Sequence, residues 1–405
     1  MDIDDTPEEA AFRAEARAWL DAHATPKGSA DDFSSGLWAG DYDEATYVAR
    51  CRIWQRALYD GGWAGITWPK QFGGRGGRPI EQAIFNQEQA RFGVSTGAFM
   101  IAVGMVGPTI VAHGTAEQKE RFLPPMLRGD DLWCQLFSEP DAGSDLAGLT
   151  TRAVDDGDEW VISGQKVWTS SADRAAWGIL LARSDWDAPK HKGITYFLLD
   201  MATPGITIRP LRQMTGESHF SEVFLEGVRI PKANVLGEPG EGWRIAQTTL
   251  TSERSSIAGG GGNVDPGALA ALARSCGRAD DPLTRQAVVG VHIQAQMLRF
   301  LRYRAQTALS QGRRPGQEAS VMKLAHSRYM RALTRAAVHI QGPAGQLGYD
   351  DDMWHRRFLH APSLGIAGGS DQVQANIIAE RALGLPAEAR ADRDAPFRRA
   401  DTGRH

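Results

Sequence analysis

From Asp131 to about Ile230 the chain falls into short β-branched and aromatic runs separated by turn residues. On either side its apolar residues recur every three or four positions. A two-residue period alternates side chains across a strand, whereas a 3.6-residue period lines one face of a helix. One element cannot satisfy both, so the order of the chain is helices, then strands, then helices again.

The helical signals are local and specific. Thr6 followed by Pro7 suits an N-cap and first helical position, with Glu8 and Glu9 at the positive end of the dipole. Phe12, Ala16, Trp19 and Leu20 then recur at helical spacing. A second helix stops at Gly61-Gly62, a Pro/Gly loop follows, and further helical patterns cover about 79–92, 96–112 and 115–128. In the middle block, TRAV, DDGD and EWVISGQKVWTSS read as strand, turn and strand, and four more short runs continue the pattern. Helical periodicity returns after GEPGEGW at about 241–259, 266–276, 282–311, 316–341 and 370–384, lengths that suit an up-and-down bundle. The expected organisation is a helical domain over 1–130, a small β-barrel or sandwich over 131–235, a helix bundle over 236–386 and a disordered tail over 387–405.

The charge balance narrows the function. Lys and Arg number 45 against 49 Asp and Glu, with no basic stripe, which argues against a nucleic-acid partner. Cys51, Cys134 and Cys276 are far apart and form no CxxC, so neither a disulfide framework nor a metal site is expected. The acidic N-terminus does not read as a signal peptide, and no apolar run approaches the roughly 20 residues that span a bilayer. These features read as a cytoplasmic protein with no membrane association.

Three stretches carry candidate chemistry. In WCQLFSEPDAGSD, Pro140 and Gly143 hold an irregular loop whose backbone N–H groups, with the hydroxyls of Ser138 and Ser144, can bind a polar ring edge or a phosphate. The plain alternative is a Ser/Gly/Asp turn. In QKVWTSS, Trp168 can stack on a flat ring while Thr169 or Ser170 meets its edge; alternatively Trp168 is a core aromatic. In IAGGSDQVQANIIAERALGLP, Gly368 and Gly369 open a helix capped by Ser370 or Asp371, which is either an anion site or a simple cap. No GxGxxG follows a strand, and P-loop, HExxH and GxSxG motifs are absent.

In order along the chain, FSEPDAGSD, GQKVWTSS, MTGESHFSEVFLEGVRIP and IIAERALGLP resemble signatures of the acyl-CoA dehydrogenase family, over about residues 5–386. The resemblance implies an α-domain, a β-domain and a C-terminal four-helix bundle that bind FAD without a Rossmann motif. It implies a homotetramer or homodimer, an acyl-CoA substrate of lipid metabolism and an electron-transferring flavoprotein as acceptor. By the same likeness Gln135, Phe137, Ser138, Gly143 and Ser144 line the flavin and its ribityl chain, Trp168 to Ser170 meet the ring, and Ser370 and Gln372 hold the adenosine-diphosphate half. Ser144, Leu250 and Arg254 would contact the acyl-CoA.

Two departures matter. Many members carry the catalytic Glu where this chain has Gly368. A subgroup including isovaleryl-CoA and long-chain dehydrogenases places it on a bundle helix beside an Arg, and Glu253–Arg254 matches that pair. The resemblance therefore implies Glu253 as base, with the Gly368 N–H holding the thioester carbonyl. The family's Arg-x-x-Phe-Gly element is also missing from GRADDPLTRQAV. That leaves open a non-catalytic partner chain of a heteromeric enzyme. A flavin acyl-CoA oxidase is a further alternative.

Overall fold

The computed structural model describes residues 4–36, 43–259, 266–313, 318–347, 353–389 and 394–397, without the side chains of 255–259. Three helices come first: α1 (Pro7–His23), α2 (Glu44–Asp60) and α3 (Pro79–Gln89). Thr6 caps α1 reciprocally with Glu9, as its sequence position implies. Next come α4 (Gly107–His113), entered through a π turn at Ala102–Val106, and α5 (Ala116–Arg128), capped by Thr115 and Gln118.

The strands follow: β1 (Trp133–Leu136), β2 (Arg152–Asp156), β3 (Glu159–Ser170), β4 (Trp177–Arg183), β5 (Ile194–Asp200), β6 (Ile206–Leu211) and β7 (Phe220–Pro231). The helices resume with α6 (Gly242–Gly259), α7 (Pro266–Ser275), α8 (Pro282–Ser310), α9 (Glu318–Gln341), α10 (Ala344–Leu347), α11 (Met353–Leu364) and α12 (Asp371–Ile377). The sequence pattern gave no sign of α11. The element expected over 370–384 is shorter, because α12 passes into a π turn at Ile378–Ala382 before Gly384 turns left-handed.

The chain divides into two compact units. One contains residues 1–57, 76–97 and 254–386. Within it α7, α8, α9 and α11 form the bundle around Leu269, Leu298, Tyr329, Leu333 and Trp354. Buried Glu88 on α3 pairs with Arg13, Arg17 and Arg91, which ties α1 to α3. Burial pushes its carboxyl up, but the three guanidinium hydrogen bonds prevail and hold it at about 2.

The other unit contains 58–75, 98–253 and 387–405. Its sheet runs β1-β4-β2-β3-β7-β6, with β5 on β4. β3 and β7 pair antiparallel over most of their length, whereas β1 joins β4 in parallel. The inward faces of these strands bury Ile162, Leu180, Phe197, Leu199, Val223 and Leu225. Each such side chain contributes about 1.5–3 kcal/mol by leaving water. Pro396 bridges to Pro189, and Phe397, a large apolar residue in an otherwise charged tail, is buried on the same unit.

Candidate active site

The segment leaving β1 is fixed at its base and open at its tip. Phe137 is buried, its ring edge-on to Tyr196 of β5 with centroids 5.8 Å apart. The Ser138 carbonyl accepts from Val167 N at 2.9 Å. The Glu139 carboxylate accepts from the N–H groups of Thr150 (2.6 Å) and Thr151 (2.8 Å) and from Lys166 Nζ (2.8 Å). Lys166 is fully buried and also donates to Phe137 O at 3.1 Å. Burial pushes the Glu139 carboxyl up, but the Lys166 charge and these hydrogen bonds outweigh it and hold the group at about 2. Gly143 and Ser144 are exposed beyond this anchor, and Ser138 and Gln135 are half-buried. Among the described residues, the hydroxyls of Ser138 and Ser144 and the Gln135 amide have no hydrogen-bond partner.

Beside this loop β3 is irregular. Its register against β7 shifts between Lys166 and Thr169. Trp168 has φ 60° and Ser171 φ 53°, left-handed values that cost a non-glycine residue about 1–3 kcal/mol. The bulge turns Trp168 out of the core: it is 60% exposed and touches Phe220 only edge-on, at 5.9 Å. The core-aromatic reading of Trp168 is therefore excluded. Thr169 is buried with its hydroxyl unpartnered, and the Ser170 hydroxyl, half-buried, also lacks a partner among the described residues. The connection from β6 to β7 adds Gln213 Nε2 and Thr215 Oγ1, both buried and without partners among the described residues. It reaches the end of β3 through Ser171 N donating to His219 O at 3.3 Å. Sequence reasoning missed Glu139 and Lys166 because their pairing joins positions distant in sequence, and Gln213 and Thr215 because their burial is not marked by any local pattern. Native proteins rarely leave buried polar atoms unpaired, so this set, next to an outward-facing indole, fits a polar-edged planar ligand.

The helix α6 presents Glu253 to the same unit. Ile245, Ala246 and Thr249 are fully buried at helical spacing. The Thr249 hydroxyl bonds that of Thr109 (2.9 Å) and that of Tyr196 (3.1 Å), while His113 Nε2 bonds Thr248 Oγ1 at 2.8 Å. Glu253 lies four residues beyond Thr249, hence on the same helix face one turn along, and is half-buried. Tyr196 thus touches both Phe137 and the helix that carries Glu253 and half-buried Leu250.

In the other unit, Arg254 is half-buried on α6. Gly368 and Gly369 both have left-handed φ, 65° and 85°. Ser370 caps α12 by accepting from Val373 N, and Gln372 is exposed. Asp371 is engaged by Lys323 (3.2 Å), Arg331 (3.2 Å) and Ser327 Oγ (2.7 Å). Buried Gln374 donates to Gly368 O at 2.8 Å, whereas the Gly368 N–H has no acceptor among the described residues. Near the missing Arg-x-x-Phe-Gly element, Arg278 Nη1 lies 3.5 Å from His339 O and Arg285 is exposed.

A cavity of about 650 Å³ lined by Gln118, Arg121, Trp160 and Lys232 contains none of these residues. Among the described residues no cluster of His, Cys, Asp and Glu is arranged to hold a metal, and no helix is long and apolar enough to cross a membrane.

A loop anchored at its base, an outward indole on a bulge and a carboxylate on a helix thus lie within one unit. The chain belongs to the acyl-CoA dehydrogenase family, whose members are FAD-dependent oxidoreductases. The models of its N-terminal, middle and C-terminal domains match residues 6–130, 134–228 and 240–383. The chain is 45% identical over 337 residues to acyl-CoA dehydrogenase FadE34 of Mycobacterium tuberculosis; the match covers 82% of this chain but 46% of that protein. It is 38% identical to acyl-CoA dehydrogenase IpdE1 of Mycolicibacterium smegmatis, over 94% of this chain and 98% of that one. The structure named Tcur3481-Tcur3483 steroid ACAD superposes with TM-score 0.80 at 30% identity, covering 96% of this chain and 100% of that one. The ChsE4-ChsE5 complex from Mycobacterium tuberculosis gives TM-score 0.75 at 28% identity, over 96% and 100%.

Proposed function

We propose that the chain oxidises an acyl-CoA thioester to the trans-2-enoyl-CoA, with Glu253 accepting the α-proton. When bound, FAD supplies the acceptor for the hydride leaving the β-carbon. The chain's own residues do the rest. Trp168 backs the flavin ring, and Ser138, Ser144 and Ser170 offer hydroxyls to its edge and ribityl chain. Gly368 donates its free N–H to the thioester carbonyl, where charge builds as the α-proton leaves. Ser370 and Gln372 meet the adenosine-diphosphate half, and Leu250 and Arg254 the substrate.

The observation that supports this reading is the Phe137–Tyr196–Thr249 contact chain, which links the loop after β1 to the α6 face on which Glu253 lies. The acid nearest Gly368 in sequence, Asp371, is committed to Lys323 and Arg331, which argues against it as the base. The test is Glu253→Gln: the purified protein should keep its flavin absorbance and lose nearly all flavin reduction by acyl-CoA. Reduction at the wild-type rate rejects Glu253 as base.

A second reading, a heteromeric enzyme, is favoured by particular observations. The FadE34 match leaves more than half of that protein outside it, and ChsE4-ChsE5 is a complex of two proteins. Helix α8 also exposes Val289, Ile293, Met297 and Phe300 at helical spacing, a stripe that suits a subunit contact. Flavin content of the chain purified alone separates the two: about one FAD per chain supports a self-sufficient homo-oligomer, and none supports a partner chain. Electron-transferring flavoprotein is the proposed acceptor. Peroxide formed with acyl-CoA in air would instead indicate an oxidase. The steroid ACAD likeness supports including ring-bearing thioesters in the substrate panel.

A further inference from the structure

Arg183, at the end of β4, is fully buried and forms no ion pair among the described residues. A buried charge needs compensation, and here backbone carbonyls supply it. Nε donates to Leu149 O (3.1 Å), Nη2 to Ala147 O (2.6 Å) and Nη1 to Lys190 O (3.2 Å). The first two acceptors lie in the segment that returns from the flavin loop, and the third is in the β4–β5 connection. Lys190 in turn donates through Nζ to both Asp145 carboxylate oxygens at 3.0 Å, next to Ser144. Glu139 ties the two ends of the loop together through Thr150 and Thr151, and Arg183 holds the returning segment just before that point.

The open face of the guanidinium is covered by the C-terminal segment. The Phe397 ring lies over it at 3.6 Å, and Trp186 stands 6.0 Å from the guanidinium and 5.5 Å from the Phe397 ring. Phe397 is itself held by donating its N–H to Ala188 O at 3.0 Å and by the Pro396–Pro189 bridge. Burial pulls the Arg183 guanidinium down to about 10 against the opposing charges of Glu139, Asp145 and Asp185. A ring over a desolvated cation attracts it and also keeps water from competing for its donors.

We infer that Phe397 is a positioning residue for the flavin loop: it seals Arg183, whose guanidinium fixes the Ala147–Leu149 carbonyls and so the open tip at Gly143–Ser144. The inference rests on residues 138–151 being the flavin loop, as proposed above. The test compares the full-length wild type with Phe397→Ala, Phe397→Leu (bulk without a ring face) and Phe397→Trp. Flavin affinity is measured by titrating apoprotein with FAD. Amide hydrogen exchange in the apoprotein compares segment 143–151 with β7 as an internal control.

Phe397→Ala should weaken FAD binding about tenfold and speed exchange in 143–151 by a similar factor, with β7 unchanged. Phe397→Leu should fall between, and Phe397→Trp should restore both. Equal acceleration in both segments, or unchanged exchange in 143–151, overturns the positioning role. Faster exchange at 143–151 with unaltered FAD affinity would keep the Arg183 seal and refute the assignment of this loop to the flavin. A wild type that takes up no FAD would favour the partner-chain reading given above, and the exchange comparison would still decide the role of Phe397.

Discussion

Replacing Glu139 with Gln tests whether the loop that follows β1 depends on a buried ion pair. The fall of this carboxyl from 4.5 to about 2 corresponds to about 3 kcal/mol of folded-state stabilisation. Lys166, whose ammonium burial pushes below its ordinary value, subtracts part of that. The amide substitution also leaves this fully buried ammonium with Phe137 O as its remaining partner in the pair's place, and breaking such a pair from one side costs about 3–5 kcal/mol. Glu139→Gln should therefore lower the midpoint of thermal unfolding by roughly 6–12 °C at pH 7 if the β-containing unit melts cooperatively. The folded-state value lies below the unfolded one, so the carboxylate's contribution is complete above about 4.5. It is lost as pH falls from there toward 2. The gap between wild type and variant should narrow over that range. Adding Lys166→Met should recover much of the loss by removing the stranded charge. A pH-independent gap, a loss under about 1 kcal/mol, or strict additivity of the two substitutions would refute the reasoning.

Trp168→Gly should leave the apoprotein within about 1 kcal/mol of wild type, because relief of the left-handed backbone offsets the lost contact with Phe220. Its flavin affinity, by titration, should fall about tenfold, and a large drop in apoprotein stability would return Trp168 to the core. Tyr196→Phe removes the hydroxyl bonded to Thr249 and should cost about 1 kcal/mol. Stopped-flow reduction by acyl-CoA should slow more than FAD binding weakens, since Thr249 on the proposed Glu253 face of α6 loses one of its two hydroxyl bonds; unchanged reduction would sever that link.

What could be read from the sequence was whatever a few neighbouring residues decide. Thr6-Pro7 announces α1, β-branched and aromatic runs broken by turn residues announce β3 to β7, and the Ser/Gly content after Phe137 announces an open loop. Trp168 shows the limit of that reading. A strand tryptophan ordinarily packs inward, and only the register shift against β7, 50-odd residues on, turns it out. The loop's rigidity is less legible still, because the charges responsible come from elsewhere in the chain. Lys166 sits 27 positions from Glu139 and Arg183 34 from Leu149, while Phe397 lies in a tail whose composition reads as disorder. These buried charges are spent on backbone and on one another, whereas the hydroxyls of Ser138, Ser144 and Ser170 have no partner among the described residues. A loop built this way keeps its strong groups for holding shape and leaves weak, neutral donors for the flavin proposed above. That division suits a cofactor whose electron count changes during turnover, because neutral hydroxyls can bond either redox state without a fixed charge favouring one.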